Sequence, residues 1–300
     1  MPLAGERPFL VTSRRALAIV GVILVMVVWG STFVITKAAV AEIPPFTLAA
    51  LRFLIASIVL VPLALARGGL ARLPRPIPVM PLVWMAATGI VIFTVGFNYG
   101  LMFGSASQGA LIFALVPAAV VVCAVIGLGE SVSKRRTAGI LLSVGGVALV
   151  AVTGERDTAA PNPVLGAVWM LGAVVAWGVY TVTAKRLADA DQIVVIACIS
   201  VIGTLMLAPL ATVELVQSPI SAPSLQAWLG VLYLSVVASA VAYLVYSLVL
   251  RELDAGLVGA FTNLDPIVGV LTAVLFLGET LGGWQIVGGI IALVGMWLAS

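Results

Sequence analysis

The sequence predicts an all-α integral membrane protein of ten transmembrane helices, arranged as two inverted-topology repeats of five helices each. Apolar residues fill 62% of the 300 positions and charged residues 9%, whereas a soluble domain carries about 25% charged residues. A water-soluble fold has no way to hide that much apolar surface. Apolar runs of roughly 18 to 24 residues recur from Ala16 to the C-terminus, each long enough to cross a hydrocarbon core of about 30 Å. The chain also matches itself at a nearly constant offset, with an odd number of runs in each copy.

The runs place spans at residues 16–37, 46–66, 79–103, 106–127 and 134–153, then at 164–186, 192–213, 225–250, 255–277 and 281–299. Helices are required, because the apolar residues are continuous and do not alternate as they do in barrel strands. The N-terminus resembles a signal peptide, with Arg7, Arg14 and Arg15 before an apolar stretch and Ala39-Val40-Ala41 after it. The run from Ala16 to Thr36 is too long for a typical signal core, so a retained first helix is expected.

Charge sets the orientation. With the N-terminus in the cytoplasm, twelve of the lysines and arginines, from Arg7 to Arg251, fall inside; Lys37 and Arg156 fall outside, and Arg52 lies within a span. This asymmetry is the positive-inside pattern of a bacterial inner-membrane protein with both termini cytoplasmic. The same placement argues against nucleic acid as the partner of a chain with net charge +3. Cys123 and Cys198 both sit in apolar runs, and the chain has no histidine. No disulfide framework, His-based catalysis or metal site is expected, and no cofactor.

Offset by 148 residues, Trp29-Gly30 meets Trp177-Gly178 and Lys37 meets Lys185. Offset by 149, Leu115, Pro117, Leu128, Gly129, Glu130, Gly139 and Gly146 meet Leu264, Pro266, Leu277, Gly278, Glu279, Gly288 and Gly295. Five spans per copy make the second copy enter the membrane from the opposite side, as in the inverted repeats of secondary transporters. The repeats are expected at 1–153 and 164–300.

A Trp-Gly first helix, a proline in the fourth and Leu-Gly-Glu before a glycine-rich fifth, each present twice, resemble the drug/metabolite transporter superfamily, EamA type. The resemblance covers nearly the whole chain and is most specific at Leu128-Gly129-Glu130-Ser131 and Leu277-Gly278-Glu279-Thr280. It implies a central cavity between helices 1, 3, 4, 6, 8 and 9 and alternating access by the two halves. The implied cargo is amino acids or related amines, most often exported. A passive facilitator or channel is the alternative, since a sequence shows a pathway without showing whether it ever opens to both sides at once.

Pro117 and Pro266 fall midway along the fourth and ninth helices, where each removes a backbone donor and frees the carbonyl four residues earlier, at Phe113 and Thr262. Such matched breaks mark either a midplane binding site or plain packing kinks. Asp265 is the acid well inside a span, at a cost of about 2.5 to 3.5 kcal/mol if it faced lipid. It is expected to contact a substrate amine or a coupling proton, or else to pair with Arg52. Arg52 itself either snorkels to the outer interface or contacts cargo. Trp29 and Phe33 share a face of helix 1 with Thr32 and Thr36, and Trp177 and Tyr180 repeat the arrangement on helix 6 with Thr181. Asn98, Tyr99, Tyr243, Tyr246 and Asn263 complete the expected lining, with Pro117, Pro266 and Arg52 at the gating positions.

Gly96, Gly100 and Gly104 form small-residue steps for close helix packing. Gly139, Ser143 and Gly146, with Gly288, Ala292 and Gly295, make helices 5 and 10 packing or homodimer surfaces. Ser131 and Thr280 are expected to cap those helices, with Glu130 and Glu279 beside their positive dipole ends. An intramembrane aspartyl protease needs two membrane acids, and only Asp265 qualifies. An enzyme is therefore not expected.

Overall fold

The computed structural model describes residues 8–129, 131–153, 160–253, 258 and 261–299. Glu130 and Arg156 lie outside them. Every regular element among the described residues is helical. Seven helices are long and apolar enough to cross a membrane, and the bent pair Ala106–Phe113 and Val116–Leu128 makes an eighth if read as one span. Two shorter apolar helices, Leu264–Leu277 and Gly283–Ala299, follow. The chain is a multi-pass membrane protein.

In chain order the helices are α1 (Pro8–Val40), α2 (Pro45–Ala66), α3 (Val79–Ala86), α4 (Phe93–Phe103), α5 (Ala106–Phe113), α6 (Val116–Leu128), α7 (Lys134–Val152), α8 (Pro163–Ala184), α9 (Gln192–Gln217), α10 (Leu225–Leu232), α11 (Ala242–Glu252), α12 (Leu264–Leu277) and α13 (Gly283–Ala299). Wider π-helical turns at Ala87–Ile92 and Tyr233–Val241 join α3 to α4 and α10 to α11. They fall at corresponding places in the two halves. Sequence reading missed both, because a π turn changes backbone pitch without changing apolar composition.

In lipid there is no hydrophobic drive between helices, so backbones must approach closely for dispersion to hold them. The Trp-Gly pairs meet that need. A methyl group added at Gly30 would lie 2.6 Å from Val268 Cβ and 2.9 Å from the Asp265 carbonyl oxygen, and one at Gly178 would lie 3.0 Å from the Ala119 backbone. Each Trp-Gly helix therefore packs on the proline helix of the other half, through residues that are themselves 149 apart. Gly96 and Gly100 press α4 onto Trp169, Met170 and Ala173 of α8, as the small-residue steps lead one to expect.

The small residues of α7 and α13 face each other. Gly139 meets the backbone at Gly295 and Leu298, Gly146 meets Ala292, and Ser143 Oγ donates to the Ala292 carbonyl at 3.1 Å. These stripes close an intramolecular seam, the packing alternative of the two expected of them.

The expected caps need correction. Ser133, two residues past Ser131, caps α7 by accepting from Arg136 N at 3.3 Å. At α13, Gln285 reaches back to accept from Gly282 N at 2.9 Å, and Thr280 has no cap role. Gly129 and Gly278 close α6 and α12 with φ of +67° and +66°, a backbone conformation that suits glycine and stops a helix. Glu279, just past that stop, caps α5 and not its own following helix, accepting from Ala106 N and Ser107 N at 2.8 Å each.

Two similar clamps lie at the same end of the bundle. Glu214 accepts from Phe46 N at 3.2 Å and from Thr47 N and Oγ1 at 2.7 and 2.8 Å. Glu42 accepts from Ser224 N and Oγ at 2.6 and 2.7 Å. Lys37 donates there to the Leu101 and Gly104 carbonyls, at the negative dipole end of α4. At the opposite end Arg67 Nε meets Asp191 Oδ2 at 2.9 Å.

Candidate functional site: a cavity at two broken helices

The proline breaks position the site. Pro117 lacks an N–H, so the backbone turns at Ala114-Leu115 and α5 and α6 meet at 40°. A turn at Asn263 precedes Pro266 in the matching place. Between the breaks lies a cavity of about 320 Å³ lined by residues of both halves. Phe113 and Thr262, four residues before the prolines, both line it, as do Val116 and Asp265.

The structure brings together Trp29, Phe33, Arg52, Pro117, Trp177, Tyr180, Tyr243, Tyr246, Asp265 and Pro266 in the lining. Trp29 Nε1 donates to the Ala238 carbonyl at 3.1 Å, a group in the second π turn, and its ring sits 5.6 and 5.3 Å from those of Tyr243 and Tyr246. Trp177 holds the matched wall, 4.9 Å from Phe93 and 4.9 Å from Tyr180. Tyr180 lies directly on Gly89 of the first π turn, where no side chain intervenes.

Arg52 is 8% exposed and donates from Nε to Ser239 Oγ at 2.9 Å. It is held in the interior and does not snorkel to an interface. Ser239 in turn donates to the Leu234 carbonyl, five residues back, satisfying an acceptor in the π turn. Asp265 is 9% exposed, and its Oδ1 has no hydrogen-bond partner. Arg52 and Asp265 form no ion pair, so the mutual-pair reading falls. One carboxylate oxygen of an acid in the cavity wall is thus left without a protein hydrogen bond.

Three expected lining residues lie elsewhere. Asn98 is buried, and its Nδ2 donates to the Pro45 carbonyl at 2.8 Å, tying α4 to the start of α2. Tyr99 packs its ring 4.9 Å from Trp169 and 5.7 Å from Phe46. Asn263 sits at the start of α12 with Oδ1 buried and unpartnered, outside the lining. A polar residue on a cavity helix can equally well be the strut that holds another helix. Phe93, Phe97, Met26, Gln192 and Met296 line the cavity and were missed, since in an apolar run nothing separates an inward-facing Phe or Met from one facing lipid.

A membrane bundle with two broken helices around a buried cavity that carries an acid and an arginine is built as a transporter. The EamA-like transporter family profile matches residues 16–152 and again 164–300, and the chain belongs to that family. An uncharacterized transporter of Archaeoglobus fulgidus is 30% identical over 281 residues, covering 92% of this chain and 95% of its own. A probable terminal-alkyne amino-acid exporter of Streptantibioticus cattleyicolor is 28% identical, covering 94% and 93%. The uncharacterized inner membrane transporter YedA of Escherichia coli is 26% identical, covering 89% and 86%. A solved crystal structure, 24% identical, shares the fold over 94% of this chain and 95% of its own with a TM-score of 0.65.

Proposed function

We propose that this transporter is a secondary carrier that exports amino acids or related amines across a bacterial inner membrane by alternating access. Its ten helices form two inverted repeats of five, at 1–153 and 164–300, with both termini cytoplasmic. The paired profile matches, the mirrored Gly30 and Gly178 contacts and the paired π turns support the repeat. The charge asymmetry supports the orientation. The observation that carries the substrate class is Asp265, a buried acid in the cavity wall with an unpartnered carboxylate oxygen, suited to an ammonium group. The amino-acid exporter among the relatives supports the same class.

Proteoliposomes preloaded with unlabelled amino acids test this. Labelled amine-bearing substrates should enter by saturable, trans-stimulated counterflow. Flux without saturation or trans-stimulation points to the facilitator reading, and the absence of counterflow across an amino-acid panel overturns the proposed cargo. For topology, cysteine placed at Ser218 should label from the periplasm, and cysteine at Leu70 or Ala188 only from the cytoplasm.

A further inference from the structure

Thr36 Oγ1, Ser107 Oγ and Gln108 Nε2 are buried and make no hydrogen bond, in residues 0%, 1% and 2% exposed. Buried polar atoms without partners are uncommon and call for a physical reason. None of the three residues lines the cavity. All lie just beyond it, on the side toward Lys37 and the carboxylate clamps.

What separates them from the cavity is a set of three rings. Phe33 of α1 lies 5.0 Å from Phe97 of α4 and 5.5 Å from Phe113 of α5, and Phe97 lies 6.1 Å from Phe113. Phe33 is 1% exposed and rests against two glycines: an added methyl at Gly109 would be 3.6 Å from its Cδ1, and one at Gly269 would be 2.9 Å from its Cδ2. Thr36 is one turn beyond Phe33 on the same face of α1. Ser107 and Gln108 are the first turn of α5, immediately before Gly109. The polar residues thus continue the line of the cavity past the rings, toward the clamped end.

We infer that Phe33, Phe97 and Phe113 are the gate that closes the transport pathway toward the Lys37 end, and that Thr36, Ser107 and Gln108 line the part of the pathway the gate shuts off. Rings that pack face to edge exclude water, and the three polar groups find partners only when the rings part and water or cargo enters. The Glu279 clamp on Ala106 and Ser107 fixes the helix that carries Phe113, Ser107 and Gln108 to the opposite half. Opening at this end requires that tie to shift. The inference rests on the carrier reading.

The test uses the full chain with Cys123→Ala and Cys198→Ala, in inside-out vesicles, so that a membrane-impermeant maleimide enters from the cytoplasmic, cavity side and meets the rings first. Thr36→Cys and Gln108→Cys report access beyond the rings. Each should react slowly with the rings intact and several-fold faster in combination with Phe113→Ala, or with Phe113→Leu if the alanine variant fails to elute as a folded protein. Ala188→Cys at the cytoplasmic surface should react at the same rate in all of these proteins. Unchanged labelling of Thr36→Cys and Gln108→Cys in folded ring variants overturns the gate. Counterflow measured on reconstituted wild-type protein keeps the two ideas apart: active counterflow with unresponsive cysteines removes the gate alone, and responsive cysteines with no counterflow of any tested solute remove the carrier reading.

Discussion

At the first break the residue before the proline is Val116; at the second it is Asp265. Both line the same cavity, and each helix receives the Trp-Gly helix of the other half. The backbone arrangement is shared and the chemistry is not. Repetition builds the hole, and a single unrepeated side chain gives it charge. The tryptophans differ in the same way: Trp29 is anchored by a hydrogen bond to Ala238, whereas the matched wall at Trp177 is held by its neighbouring rings.

The largest expected effect is at the unrepeated acid. Asp265→Asn keeps size and removes charge, and should insert and purify normally while losing about tenfold or more in transport of amine-bearing substrates, the loss of a charged hydrogen bond of about 1.5–3 kcal/mol. Val116→Ala at the mirrored position should transport close to wild type. A neutral substrate should suffer less from Asp265→Asn if the acid touches an ammonium group. Equal losses for all substrates, with a flattened response to a proton gradient, assign it the coupling proton. Unchanged transport by the Asn variant from pH 5.5 to 8 rules out both.

The tryptophans come next. Trp29→Leu loses a hydrogen bond of about 1 kcal/mol and ring contacts of about 0.5–1.5 kcal/mol, and strands the Ala238 carbonyl in its π turn. Trp177→Leu loses ring contacts only. Substrate affinity should fall at both and further at Trp29; equal affinities for the two variants would show that the hydrogen bond does not orient the wall.

The scaffold was legible in the sequence because composition and spacing record it directly. Apolar runs located the seven long helices and the bent pair to within a few residues, and the offset Trp-Gly and Pro pairs marked helices that pack on one another. The cavity was legible where a residue type is costly in lipid, as with Asp265 and Arg52, or recurs in both halves, as with Trp29 and Trp177. It was not legible at Phe93 or Phe97, where a phenylalanine has the same cost facing lipid or cavity. Nor could spacing show that Asn98 is a strut, because its partner, the Pro45 carbonyl, is 53 residues away. Glu279 was read as serving the nearest helix, whereas its partners are 173 and 172 residues distant.

Stability should separate the two Trp-Gly glycines. Gly30→Ala forces a methyl against the branched Val268 and the Asp265 carbonyl, at 2.6 and 2.9 Å, and overpacking of this kind costs about 1–3 kcal/mol. Gly178→Ala meets the Ala119 backbone at 3.0 Å and should cost less. Thermal unfolding in detergent ranks them, and a Gly178→Ala protein that melts below Gly30→Ala would reverse the order.

The smallest effect is at the two ends of the bundle, where Glu42 and Asp191 hold their partners outside the membrane-spanning core. The Ser224 backbone N–H and then its hydroxyl hold the Glu42 carboxyl below its ordinary value of 4.5. Burial pushes Asp191 up, but the Arg67 hydrogen bond, the Ile193 N–H and the Arg67 charge together hold it below 3.8. A carboxylate whose folded pKa is depressed contributes stability that is fully present above its unfolded pKa and lost as pH falls through the folded value. The melting temperature should therefore stay level from pH 7 down to about 5 as far as these two groups are concerned, then decline as pH falls through the ordinary carboxylate range and below it. Glu42→Gln should lower the melting temperature slightly at pH 7 and flatten the acid decline, because it removes a group whose protonation costs the folded state more than the unfolded one. Asp191→Asn should act similarly; its half-buried ion pair with Arg67 is worth about 1 kcal/mol and weakens with salt. An acid decline as steep in the double variant as in wild type would place the titration at other carboxylates and leave these two clamps without a measurable share of stability.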